Sequence, residues 1–231
     1  MNKLSFTDVL ILLGGLIPAT AQNEVYVSGA MMNVMQKGQL QGTISLDTIQ
    51  QPHLYGLGPV EYLAGEITIA DGKAYTSTVL SPTTMQVKET YDLKAPFFVY
   101  SRVDEWKEHT LPDSVTDMER LESHLEQISR NAKRPFAFKL SGIVPSAKIH
   151  IMNLPPGTKV SKPADAQKGK TYYTVQNMDA EIIGFFSTEH QRIFTHHNRY
   201  IHMHLLSEDR KTMGHIDELL LNNKLKLYLP F

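Results

Sequence analysis

The run GEITIADGKAYTSTV, from Gly65 to Val79, leaves the backbone the least choice of conformation. Ile67, Ile69, Ala74 and Val79 are spaced among polar residues, the period of a strand with one face buried. Between the two halves, Asp71-Gly72 is a pair that tolerates positive φ, as a tight turn between paired strands requires. The segment therefore predicts an antiparallel hairpin whose first strand begins at Glu66.

Other stretches repeat the strand signal. PFFVYSRV, Pro96 to Val103, reads as one strand, and FAFKLSG from Phe136 and SAKIHIM ending at Met152 read as two more. LPPGTKVSKPADAQKGK, rich in Pro, Gly and Lys, reads as a loop. The remainder is strand-rich, with turns at Ser207 to Thr212 and at Asn222-Asn223. One helix stands out: Thr116-x-x-Glu119 has the form of a capping box ahead of Met118, Leu121, Leu125 and Ile128, which share a helical face. Many strands, few helices and no regular strand–helix alternation predict a mixed α+β protein with largely antiparallel β-sheets and argue against a doubly wound nucleotide fold. The segment 22–231 is expected as the folded part, divisible into two β-rich subdomains at about 22–133 and 134–231.

Composition narrows the chemistry. Of 231 residues, 42% are hydrophobic and 20% charged, enough for a globular core. Lys and Arg total 23 against 24 Asp and Glu, and neither sign forms a long run, so no nucleic-acid partner is expected. The absence of cysteine excludes a thiol nucleophile and a thiolate-bound zinc, leaving His, carboxylate and water as metal ligands. At the N-terminus, Lys3 precedes an apolar stretch from Val9 to Ile17, and Ala19-Thr20-Ala21 offers a small-x-small cleavage pattern. Residues 1–21 thus read as a signal peptide. The expectation is an exported protein, periplasmic or secreted, with no membrane attachment after cleavage.

The histidines supply a metal-ligating pattern. In YIHMHLL, His202 and His204 are two apart on a strand, so both rings leave one face while Met203 leaves the other. The turn SEDRKT then brings back a second strand carrying His215 beside them. Three imidazoles with one open position suit a catalytic zinc or another first-row divalent metal. His53, His109, His124 and His190 stand alone in polar surroundings, and His196-His197 sit in a loop; none of these is expected to be a ligand.

HMHLLSEDRKTMGH, residues 202–215, resembles the signature of the acetolactate decarboxylase family, in which His-x-His, an Asp-Arg turn and Gly-His provide three zinc ligands. Upstream, GLGPVEYLAGEITIADGKAY resembles that family's Gly-Glu segment and places Glu66 on its active-site glutamate. A Gly-Glu at a strand start is otherwise an ordinary solvated charge, so the role of Glu66 comes from the resemblance alone. Weaker similarity extends from about Val25 to the C-terminus. The resemblance implies an acetolactate decarboxylase-like fold, a homodimer, and decarboxylation of 2-acetolactate, a small-molecule 2-hydroxy-3-oxo acid, to acetoin. Glu66 would hold a water or the substrate hydroxyl and help move the proton.

Three positions depart from the family pattern. Pro59 stands where the family has a threonine. His150 stands in place of an arginine that grips the substrate carboxylate, and a protonated His150 helped by Lys148 is the expected substitute. The stretch reaching Phe231 shows no counterpart of a further active-site glutamate. Two alternatives therefore stand beside decarboxylation: an exported homologue that binds metal and a small hydroxy acid without turnover, and a different reaction at the same metal centre.

Overall fold

Asp71 (φ 46°) and Gly72 (φ 76°) both adopt positive φ, the geometry of a two-residue hairpin turn. A side chain at Gly72 would come within 2.8 Å of the Gln51 carbonyl, so close packing as well as φ selects glycine there. The paired strands run from Glu66↔Ser77 to Ala70↔Lys73, as the sequence predicts. This hairpin belongs to the first sheet in the computed structural model, which describes residues 23–231.

In chain order the described strands are β1 (Val25–Gly29), β2 (Ile44–Ser45), β3 (Leu54–Pro59), β4 (Glu66–Ala70), β5 (Lys73–Ser81), β6 (Thr84–Glu89), β7 (Lys94–Ala95), β8 (Phe97–Arg102), β9 (Lys107–Thr110), β10 (Phe136–Met152), β11 (Lys170–Phe186), β12 (Ile201–Ser207), β13 (Met213–Leu220) and β14 (Lys226–Leu229). The α-helices are α1 (Met31–Lys37), α2 (Met118–Ile128) and α3 (Pro163–Gln167). One sheet has the order β1-β8-β3-β4-β5-β6 and the other β11-β12-β13-β10-β14-β9, while β2 and β7 form a small separate pair. All the strand pairings are antiparallel. Among the described residues no helix is long and apolar enough to cross a membrane. The segment read as a signal peptide lies outside the described residues.

The two large sheets pack face to face. Tyr55, Leu57, Ala70 and Val99 of the first meet Ala137, Ile183, Phe185, Leu206 and Met213 of the second in one apolar cluster. On the far side of the second sheet, Leu121 and Leu125 of α2 pack on Phe136, Phe138, Ile201, Met203 and Leu205. Because β9 pairs with β14, the chain changes sheets at 103–106, ahead of the division at about residue 133 that the sequence suggested.

Two local expectations are corrected. FAFKLSG and SAKIHIM are not separate strands but one 17-residue strand, β10. The interruption at Gly142 to Pro145, where proline has no N–H to give, is where β10 exchanges one neighbour for another. Lys139 to Ser141 pair with β14, whereas Ser146 to His150 pair with β13. The N-cap of α2 is Asp117, not Thr116: the Asp117 carboxylate accepts from Arg120 N at 2.9 Å, and Thr116 Oγ1 donates to that same carboxylate. The ionised acceptor takes the place of the hydroxyl at the positive end of the helix.

Helix α2 also holds the strand that carries His202 and His204. Buried Glu122 accepts from the backbone N–H groups of Tyr200 (2.9 Å) and Ile201 (3.3 Å). Glu122→Ala would strand two donors and should cost about 2–3 kcal/mol, read as a lower urea midpoint at unchanged slope; a loss below about 0.5 kcal/mol would rule out the tether.

Candidate metal centre and active site

Strand alternation sorts the residues of β12. Met203 enters the core beneath α2, while His202 and His204 leave the opposite face, toward the first sheet. His204 pairs in register with His215 of β13, and His215 pairs with His150 of β10, so three imidazoles form a row across neighbouring strands. His202, two residues along β12, completes the cluster. All four are buried.

The ring nitrogens sort into inner and outer sets. His202 Nε2 and His215 Nδ1 are 3.0 Å apart. One donor nitrogen each from His202, His204 and His215 lies within 4.8 Å of the other two. His204 Nε2 is buried without a hydrogen-bond partner, 3.7 Å from Glu66 Oε2. On the outer side, His204 Nδ1 is 3.1 Å from Thr68 Oγ1, and His215 Nε2 is 3.4 Å from His196 Nε2. An outer partner fixes the tautomer and leaves the inner lone pair available, the usual support of a metal-bound histidine. Tetrahedral zinc with bonds of about 2.0–2.1 Å separates its ligand nitrogens by ~3.3 Å. The donor set therefore fits a divalent ion of this kind, and the orphaned His204 Nε2 is the atom it would satisfy.

Protonation states agree with that use. Burial holds His204 down to about 3 and His196 to about 4, and puts His202 and His215 well below the ordinary imidazole range. All four are neutral at pH 7, the state that ligates metal.

Glu66, at the first position of β4, is only 3% exposed because the second sheet covers it. Oε1 accepts from Met152 N at 3.2 Å and lies 3.9 Å from His150 Nε2. Burial raises its pKa well above the carboxylate range, with the Met152 N–H and the nearby Lys170 charge opposing. Pro59, its partner in the ladder, lines the same small chamber without a donor to offer.

His150 reaches the site, but not as the expected cation: burial lowers its pKa despite a short hydrogen bond from Nδ1 to Asp217 Oδ2. Lys148 does not assist it. It is partly exposed and pairs with Glu218 at 3.2 Å, whereas Lys170 lines the chamber. Between Ile149↔Ile216 and Lys148↔Glu218 the register slips by one residue, leaving Asp217 in a β-bulge that re-aims its side chain. His150, His215 and Asp217 form a second possible donor set. There Asp217 is already engaged by His150 on one oxygen and by Lys170 Nζ at 3.3 Å on the other.

Sequence reasoning missed His196, Lys170 and Asp217. Asp217 was within reach, since it follows His215 by two on one strand. Loop residue His196, and Lys170 at the edge of a Lys-rich stretch, carry no local signal.

The family model described as alpha-acetolactate decarboxylase matches residues 25–229. The chain belongs to that family. Acetolactate decarboxylase relatives include the protein of Lactococcus lactis subsp. cremoris, 24% identical over 199 residues, 83% of this chain and 78% of that one. The protein of Brevibacillus brevis is 25% identical over 211 residues, 89% of this chain and 71% of that one. Among solved structures, the alpha-acetolactate decarboxylase of Bacillus subtilis strain 168 superposes with TM-score 0.71 at 18% identity, covering 89% of this chain and 84% of that one. That likeness establishes the fold. Membership in this family of carboxy-lyases implies a small-molecule substrate.

Replacing His202, His204 or His215 singly by Ala should lower zinc affinity by at least about 100-fold, measured by competition with a chromophoric chelator, while His124→Ala, on α2, leaves it unchanged. Equal affinity in all four variants would place the metal elsewhere.

Proposed function

We propose that this decarboxylase-family protein is a metal-dependent carboxy-lyase that converts 2-acetolactate, or a related 2-hydroxy-3-oxo acid, to the corresponding hydroxy ketone. The observation that carries the reading is the placing of buried Glu66, from one sheet, 3.7 Å from the unpartnered His204 Nε2 of the other. Family membership over residues 25–229 supports it independently.

Zinc, held by His202, His204 and His215, would supply a Lewis acid for the hydroxyl and ketone oxygens of the substrate. The protein's own groups have two tasks. As the C–C bond to the carboxylate breaks, its electron pair moves toward the ketone, and one proton must then reach the carbon that lost carbon dioxide. Glu66 is placed to deliver it: burial raises the pKa of its carboxyl, and the Met152 N–H fixes Oε1. The apolar walls of Met31, Leu63, Phe97 and Met152 keep bulk water from the reacting carbon.

The zinc-loaded protein should form acetoin and carbon dioxide from racemic 2-acetolactate, and chelation should abolish this. Glu66→Gln should reduce kcat by about 10²-fold or more with zinc still bound. Stoichiometric zinc without acetoin would instead favour a protein that binds a small hydroxy acid and leaves it intact.

A further inference from the structure

A 2-hydroxy-3-oxo acid brings a negative charge that none of the groups discussed so far receives. Glu66 is a carboxyl group, Pro59 has no donor, and His150 is committed to Asp217 through Nδ1. Among the residues lining the inner chamber, Lys170 is the one Lys or Arg. It also lines an outer cavity of about 360 Å³ that Met31, Met35 and His196 share with the chamber. Lys170 thus stands at the passage between surface and site.

The fold holds it there. Lys170 is the first residue of β11, in register with Met152, whose N–H fixes Glu66. Its side chain is 13% exposed, and Nζ donates to Asp217 Oδ1 at 3.3 Å. The other Asp217 oxygen takes the His150 N–H, so the carboxylate is gripped from two sides and positions the ammonium. An ammonium has three N–H groups, and Asp217 uses one. The outer cavity adds Arg192 and has no Asp or Glu among its lining residues, so it draws anions inward.

We propose that Lys170 is the substrate-binding residue that receives the carboxylate of the hydroxy acid, with Asp217 as its positioning residue. The proposal takes its substrate class from the decarboxylase reading. Because the contact is already made in the ground state, it acts on binding more than on the chemical step.

The test uses two small ligands on zinc-loaded protein, followed by calorimetry or NMR: 2-hydroxy-2-methylpropanoate, an anion, and 3-hydroxy-3-methylbutan-2-one, its neutral counterpart. Lys170→Met should weaken the anion by about tenfold or more and leave the neutral ligand within about twofold, while Lys170→Arg recovers most of the loss. Lys170→Gln is the second neutral variant should the Met form lose zinc. Unchanged anion affinity, parallel loss of both ligands at wild-type zinc content, or a wild type that does not prefer the anion would each overturn the proposal. Acetolactate turnover by the wild type is scored separately. The Lys170 pattern without turnover would sink decarboxylation alone, and turnover without the pattern would sink Lys170 alone.

Discussion

The packing of one sheet's face on the other determines the chemistry available at this site. Away from the centre the contact is apolar, with Leu57 and Val99 against Phe185 and Leu206. At the centre it encloses four imidazoles and a carboxyl group instead. Buried polar atoms are costly unless partnered, and here the partners divide the cluster in two. Thr68, Met152 and His196 partner His204 Nδ1, Glu66 Oε1 and His215 Nε2, whereas the outward His202 Nδ1 has no partner. Of the inward atoms, His202 Nε2 and His215 Nδ1 face each other at 3.0 Å, and His204 Nε2 has no hydrogen-bond partner. The same exclusion of water acts oppositely on the two kinds of group. It keeps the imidazoles neutral and available as ligands, and it raises the pKa of the Glu66 carboxyl.

What the sequence disclosed is what short-range geometry controls. His202 and His204 share a face because strand side chains alternate, and His215 returns beside His204 because a tight hairpin sets the register. Asp71-Gly72 specified its turn for the same reason. The position of Glu66 was legible only through resemblance, since its burial depends on a sheet whose contacting residues, Met152 and His204, come 86 and 138 residues later. Thr116 and Asp117 are adjacent cap formers, and the charge that decided between them is visible only once the helix end is built. Lys148 was the nearer cation to His150 along the chain. Lys170, across the β10–β11 loop, is the nearer to Asp217 in space.

The bulge at Asp217 ties these elements together. Without the extra residue, β13 would continue the register set by His215↔His150 down to Leu220. With it, a carboxylate is placed to engage His150 on one side and Lys170 on the other. The arrangement binds the end of β10, the start of β11 and the middle of β13 to one another next to the three candidate ligands.

Charge balance shows why such a link belongs here. Neutral imidazoles and a Lys170–Asp217 pair add little net charge to the chamber. A divalent ion on the three histidines would make it strongly positive, which favours an anionic ligand without requiring a guanidinium at position 150. A neutral His150, with the cation moved across Asp217 to Lys170, keeps positive charge at the entrance and lone pairs at the centre.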